Sequence, residues 1–408
     1  MAHKVKVPPD LVGGGVDEGY GKVADAFRRN FSGGSEIGAA VAAFRDGKKV
    51  VDLWGGYRNG NTKESWQHDT GVIVFSTTKG VVALAIALAV SRGYLSYDAR
   101  VADYWPEFAQ AGKDSVTVRQ LLSYQAGLAV ISPPLTLSEY ADPSKVSERL
   151  AAQEPAWRPG TRHGYHPWGL GPYLTELIRR TDPQGRTLAK FFAEEIAAPL
   201  GLDFYIGLPV SVDRSRVAHL HAWSVAQMAL HLHTLPPRFA LAMMNPRSLT
   251  ARAGMPPGVK VFDDFNREEL RVVEMPAGNG IGTARSIAQL YGDAATGGSE
   301  IGLSPTTFEA LKSPAIPPTG GVRDKLLHVD TCFSLGFSKP PTQLVFGSSD
   351  HAFGMNGAGG SFGFADPDTG TGFAYVTNKL GFHLNSDPRE LSLRQAIFRD
   401  VLGTRSQT

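Results

Sequence analysis

The sequence predicts an α+β protein. One antiparallel sheet is built from the N- and C-terminal segments and flanked by helices, with a mainly helical region inserted between its two halves. Two observations carry this reading. Strand-like runs gather near both ends of the 408 residues, whereas from Gly80 to about Ile287 the apolar residues recur at helical spacing, broken by Pro- and Gly-rich loops. The chain is also long enough, at 42% hydrophobic content, to bury a large core. The sheet unit is expected over residues 1–95 and 280–408, and the helical unit over residues 96–279.

Taken in order, Glu18 to Phe31 reads as an amphipathic helix. Ile37 to Phe44 and Lys49 to Trp54 read as two strands joined at Asp46-Gly47, a strong hairpin signal. An extended apolar run, Val72-Ile73-Val74-Phe75, then gives way to a helix from Gly80 to Ser91. Residues Val81 to Val90 are apolar on every side, which marks that helix as central and buried. Helical spacing recurs over residues 117–124, 136–153, 168–180, 187–198 and 284–295. Residues 235–277, rich in Pro, Met and Arg, follow neither period and are expected to form a loop over a site. Strand character returns at Thr331 to Phe337, Gln343 to Phe346 and Gly372 to Asn378, and a helix from Pro388 to Val401 closes the chain.

Composition excludes several classes of function. Forty-one Lys and Arg against 39 Asp and Glu leave a net charge of +2 with no basic stripe, so nucleic acid and anionic membrane are poor partner expectations. The opening residues, Met1 to Pro9, hold charges but no apolar h-region, so no secretory signal is expected, and Val81 to Val90 is too short to span a bilayer. A single cysteine, Cys332, excludes an internal disulfide and fits a reducing compartment. It is expected as a small buried hydrophobe on a strand between Thr331 and Phe333.

Three stretches carry chemistry. Ser76-Thr77-Thr78-Lys79 is the only Ser-x-x-Lys in the chain and stands where the extended run meets the buried helix. A serine on the first helical turn lies near unpaired N–H groups and the positive end of the macrodipole, and a lysine one turn later shares its face. An amine there can lower the hydroxyl's effective pKa or, when neutral, take its proton. The second stretch, Pro159 to Pro167, is a loop beside the Trp168 helix. In it Tyr165 is either a loop cap or, if a neighbouring cation shifts it below its reference pKa of about 10, a general base. The third, Phe353 to Gly363, has small residues that let a strand backbone approach a ligand and aim an N–H at a developing oxyanion.

In this order and at these separations the three stretches resemble the serine β-lactamase and penicillin-binding-protein superfamily, in particular the class C β-lactamase-like branch that includes the family VIII carboxylesterases. The resemblance runs from about Gly19 to Val401 and extends to Leu95-Ser96-Tyr97-Asp98, Thr117 to Leu128, Gly278 to Arg285 and Gly363 to Pro367. It implies a β-lactamase-like fold with Ser76 as nucleophile, Lys79 as its activating partner and Tyr165 as base. By the same analogy the N–H groups of Ser76 and Ala358 form the oxyanion hole and Met355-Asn356-Gly357 takes the Lys-Thr-Gly position; His166, next to Tyr165, is expected to shape the substrate site rather than carry chemistry. Two departures favour esters over β-lactams. Pro167 stands where a class C enzyme has Asn, and Met355, in the lysine position, cannot pair with a substrate carboxylate.

Other motifs are decoys. Gly359-Gly360-Ser361-Phe362-Gly363 matches a nucleophile elbow, with Asp366 and His383 following in order, but the strand-turn-helix context is missing. The pairs His219/His221 and His231/His233 lack metal-site spacing. The expectation is therefore a cytoplasmic serine carboxylesterase that cleaves small neutral esters through an acyl-enzyme on Ser76. Its implied partner is a small-molecule ester, with no metal, no organic cofactor, no nucleic acid and no membrane span. A peptidase or amidase, an acyltransferase, a weak β-lactamase and a non-catalytic binding protein are the alternatives.

Overall fold

The computed structural model of the protein describes residues 7–340 and 344–407. Its main sheet has nine antiparallel strands: β1 (Val12–Val16), β2 (Gly38–Arg45), β3 (Lys48–Asn59), β4 (Glu64–Ser65), and, after a long excursion, β8 (Phe333–Ser334), β9 (Phe337–Ser338), β10 (Phe353–Asn356), β11 (Phe362–Asp366) and β12 (Thr371–Thr377). The spatial order is β1-β3-β2-β12-β11-β10-β9-β8, with β4 on β3. The two ends of the chain meet where β2 pairs with β12, from Ala39↔Thr377 to Arg45↔Thr371. A separate three-stranded sheet, β5 (Val72–Ile73), β7 (Gly280–Gly282) and β6 (Phe204–Ile206), leads into the turn that carries Ser76. The α+β reading with an antiparallel sheet thus holds.

Strand alternation sorts side chains into two cores. Ala39, Val41 and Ala43 of β2, with Phe373 and Tyr375 of β12, join Phe27 and Phe31 of the helix Gly21–Ser32 and Leu393 and Ile397 of the helix Pro388–Phe398. Ala40 and Ala42, with Ala374 and Val376, face the helix Ala284–Ala295 on the other side. Small residues line that contact because helix and sheet nearly touch: a Cβ on Gly372 would stand 2.1 Å from the Gly292 nitrogen. The helix Thr77–Ser91 runs through the centre of the second core, with thirteen of its fifteen residues buried, so the turn that begins it is held rigidly. At Asp46-Gly47 both residues have positive φ (49° and 75°), the twist that closes a two-residue hairpin.

Several elements differ from the sequence expectation. The helix expected over 136–153 is two, Leu137–Tyr140 and Pro143–Ala152, because Asp142 caps the second and Pro143 cannot continue the first. The run Thr331 to Phe337 is no single strand. Leu335 and Gly336 take positive φ and fold it into the hairpin β8–β9. Cys332 precedes β8 and is half-buried, so it is neither on a strand nor in the core. Of the strand expected at Gln343 to Phe346, Gln343 lies outside the described residues and 344–346 are irregular. Residues 235–277 are not one loop but hold the helices Pro237–Met244, Leu249–Ala253 and Glu268–Val272 and the 3₁₀ turn Phe262–Asn266. Among the described residues no helix is long and apolar enough to cross a membrane.

Candidate active site

The turn that presents Ser76 is built by a strained residue. Phe75 is buried with φ of 46°, a conformation a bulky side chain adopts only when its surroundings impose it. Here the rings of Phe262 and Phe265 pack edge-on at 5.3 Å each, and the Val74 N–H donates to Gly280 O at 2.9 Å. Ser76 emerges as the cap residue of the central helix, half-exposed at the floor of a cleft of about 390 Å³.

Lys79, one turn on, is 2% exposed. Its Nζ donates to Pro167 O at 2.6 Å and Ala277 O at 2.5 Å, and lies 3.1 Å from Ser76 Oγ. Burial pushes its pKa well below the ordinary lysine value. The Tyr165 ring face lies 4.9 Å from Nζ and favours the ammonium, an effect of about 0.5–2 kcal/mol that burial outweighs. A neutral amine with its two hydrogens committed to carbonyls has its lone pair facing Ser76 Oγ. That is the arrangement a proton acceptor needs.

Tyr165 is fixed between rings, stacked on Phe333 at 5.7 Å and tilted against Tyr124 at 5.1 Å, and its hydroxyl hydrogen-bonds with Ser76. The tyrosine expected to be acidified by Lys79 is shifted the other way. Burial pushes the hydroxyl up, Asp324 adds to the rise, and the Ser76 hydrogen bond only partly opposes it. A lysine that is itself driven toward neutrality supplies no cation to lower it. Asp324 anchors the loop instead, accepting from the Tyr165, Leu326 and Leu327 N–H groups, and its own carboxyl is raised to about 6 by burial.

The opposite wall is β10 and the turn after it. Among the described residues neither the Ser76 nor the Ala358 N–H is taken up by a hydrogen bond. Gly357 is required where this wall crosses the turn that carries Ser76, since a Cβ would stand 2.2 Å from Val74 O. Ser361 closes the same crossing, donating to Val74 O at 2.7 Å and accepting from Thr77 Oγ1 at 3.2 Å. It is buried and has no acid-base partner. Asn356 braces the wall, its amide donating to Leu384 O and Asn385 Oδ1. Met355 lines the cleft but is 1% exposed, set against Gly80, with its sulfur accepting from Ser338 Oγ at 3.7 Å.

His166 does not reach the cleft. It is 0% exposed and absent from the cleft lining, packed on Tyr124 at 5.6 Å, and burial takes its pKa down to about 4. The substrate contact expected of it is corrected on that ground. Of the paired histidines, His221 Nε2 accepts the Gly60 N–H and His231 stacks on Phe382 at 3.8 Å. Among the described residues no three His, Cys, Asp or Glu side chains converge as a metal site.

Sequence reasoning missed Asp324, the two carbonyls that hold Lys79, and Lys339. The last is a buried cleft lysine whose Nζ donates to the carbonyls of Leu311, Lys312 and His351 and whose pKa burial lowers to about 8. All three of its hydrogens are committed, so it offers a substrate none. No motif announces any of these groups. The cap made by residues 235–262, which contributes Phe239, Met243, Met255 and Phe262 to the cleft, had a signal in its Met-rich composition.

The family model described as beta-lactamase matches residues 26–396. The chain is similar to the esterase/beta-lactamase LipL of Mycobacterium tuberculosis, 33% identical over 90% of this chain and 83% of that protein. Among solved structures it resembles a family VIII carboxylesterase (35% identity, TM-score 0.81, covering 94% of this chain and 98% of that one). It is similar also to EstA from Arthrobacter nitroguajacolicus Rue61a (33% identity, TM-score 0.82, covering 95% and 98%).

Proposed function

The chain belongs to the beta-lactamase family, and we propose that within it the protein is a serine hydrolase of neutral carboxylic esters that works through an acyl-enzyme on Ser76. The observation that carries the reading is the buried Lys79 amine, pinned by two carbonyls with its remaining position on Ser76 Oγ. Named relatives that are esterases support it.

In this reading Ser76 Oγ attacks the ester carbonyl as its proton passes to Lys79 Nζ. The Ser76 and Ala358 N–H groups receive the oxyanion; one such donor is worth about 10²–10³ in turnover. Collapse breaks the bond to the leaving alkoxide, and the proton returns to it from Lys79 through the Tyr165 hydroxyl. Water then attacks the acyl-enzyme, giving its proton along the same route, and Ser76 Oγ leaves protonated. Tyr165 stays a neutral relay, consistent with its raised pKa, and Lys79 is the base. The apolar cleft, with Met355 in its β10 wall and Lys339, among the described residues the lysine of its lining, tied to carbonyls, suits an uncharged acyl group better than a carboxylate. The lone cysteine fits a reducing compartment such as the cytoplasm, and the sheet and helical regions are proposed as units over 1–95 with 280–408 and over 96–279.

The test is Ser76→Ala, expected to abolish hydrolysis of p-nitrophenyl acetate with the melting temperature unchanged. Intact-mass spectrometry should place a fluorophosphonate adduct on Ser76. Retained turnover in the variant, or an adduct elsewhere, would refute the assignment.

A further inference from the structure

The cap has a second face. In the helix Pro237–Met244, Phe239 and Met243 are one helical turn apart and both line the cleft. Leu241 and Met244 project from the opposite side, 67% and 70% exposed. Among the described residues nine large hydrophobic side chains are exposed, and six of them (Leu230, Leu241, Met243, Met244, Met255 and Val261) fall in this one segment. Clustering of that kind marks an interaction site, where scattered exposed hydrophobics would not. Met243 and Met255 belong both to the patch and to the cleft lining, so the patch runs into the mouth of the active site.

Charge tells what covers it. From Val217 to Phe262 there is no Asp or Glu, while Arg238, Arg247 and Arg252 are exposed among the apolar residues and, among the described residues, make no ion pair. Elsewhere on the surface most arginines face a carboxylate, as Arg119 does Asp98 and Arg214 does Glu268. A second copy of this chain is a poor occupant, because a two-fold contact would set the arginine face against itself. An anionic lipid surface satisfies both halves of the pattern, taking apolar side chains into the acyl boundary and arginines to the headgroups.

We propose that residues 230–261 dock this enzyme on anionic lipid surfaces, which places the mouth of the cleft against the bilayer and presents it with esters dissolved there. The net charge of only +2 concealed this, because the acidic residues lie outside 217–262, the nearest being Asp263 and Asp264 at its edge. The binding does not depend on the reading of the catalytic centre, and its test uses protein that cannot turn over.

Ser76→Ala protein is sedimented with sucrose-loaded vesicles of phosphatidylcholine alone and of equal phosphatidylcholine and phosphatidylglycerol at about 0.1 M salt. Each arginine at an anionic surface strengthens partitioning about fivefold, so three give roughly a hundredfold. The expected result is strong binding to the mixed vesicles, weak binding to the neutral ones, and loss of at least about a hundredfold in Arg238→Glu/Arg247→Glu/Arg252→Glu, since charge reversal adds repulsion to the lost attraction. Leu241→Ser/Met244→Ser should lose binding to both. None of these five side chains lines the cleft, so each variant with Ser76 intact should keep its turnover of p-nitrophenyl acetate and its melting temperature. Absence of binding, equal binding to both vesicles, or a dimer that Leu241→Ser/Met244→Ser converts to monomer by light scattering would each overturn the proposal.

Discussion

Met355→Lys probes the feature that sets this cleft toward neutral esters. The side chain is 1% exposed, and the one polar atom recorded on it is the Ser338 hydroxyl, which donates to the sulfur. Lys339 is the internal standard: buried with three carbonyl acceptors, its pKa falls from 10.5 to about 8. An ammonium at 355 with fewer acceptors should fall at least as far, and a shift of that size corresponds to roughly 3 kcal/mol. Because the folded-state value is depressed, the penalty is complete below it and is relieved as pH rises toward the unfolded value. The variant should therefore melt below wild type at pH 7 and recover part of the difference at pH 9.5. Against that cost, a substrate carboxylate in reach of the ammonium gains a charge-assisted hydrogen bond of about 1.5–3 kcal/mol. The assay is kcat/KM at pH 7 for p-nitrophenyl acetate and for mono-p-nitrophenyl glutarate, with nitrocefin beside them. The ratio of anionic to neutral ester should rise about ten- to a hundredfold, and wild type should turn over nitrocefin slowly. A folded variant with an unchanged ratio would show that position 355 does not meet the substrate and would remove the physical basis for preferring neutral esters.

Three further outcomes follow from the site. Lys79→Ala and Tyr165→Phe should each lower kcat by about 10²–10⁴, and the double variant should be little worse than either, since both act on one proton; near-wild-type turnover in Tyr165→Phe would remove the tyrosine from the relay. The pH profile of kcat/KM should rise as Lys79 loses its proton at its depressed pKa and should show no alkaline loss from Tyr165, whose hydroxyl burial keeps protonated; a profile falling with pH near neutrality would mean that the ammonium is the working form. Ser361→Ala leaves the buried Thr77 hydroxyl without the acceptor it has now and takes one of two donors from the Val74 carbonyl, and should cost about 1–3 kcal/mol of stability, read as a lower melting temperature, while Ser76 still takes a fluorophosphonate.

Much of the fold was written in local pattern. The Asp46-Gly47 turn, the alternation in β2 and β12, and the uniformly apolar helix after Ser76 each follow from side chains within a few residues of one another, where period and turn chemistry act directly. The readings that failed turned on single residues with strong local effects inside a consistent pattern. Leu335-Gly336 doubled back a run that alternated like one strand, and Pro143 split a run that looked like one helix.

The sequence alone determined the nucleophile motif, its partner one turn along, the missing cation at Met355 and the family resemblance, because each is a matter of residue type and short spacing. Tertiary structure decided the protonation states. Lys79 is driven toward neutrality by burial among groups 88 and 198 residues away, Tyr165 is pushed up where proximity to lysine suggested down, and His166 is buried outside the cleft that its neighbour lines. It also decided that acid-free residues 217–262 expose a cluster of hydrophobics, of which Met243 and Met255 reach the cleft lining. A pKa depends on the dielectric and the hydrogen bonds around a group, and a patch depends on which helix faces lie outward. Both are set by what the fold packs nearby, and sequence distance carries neither.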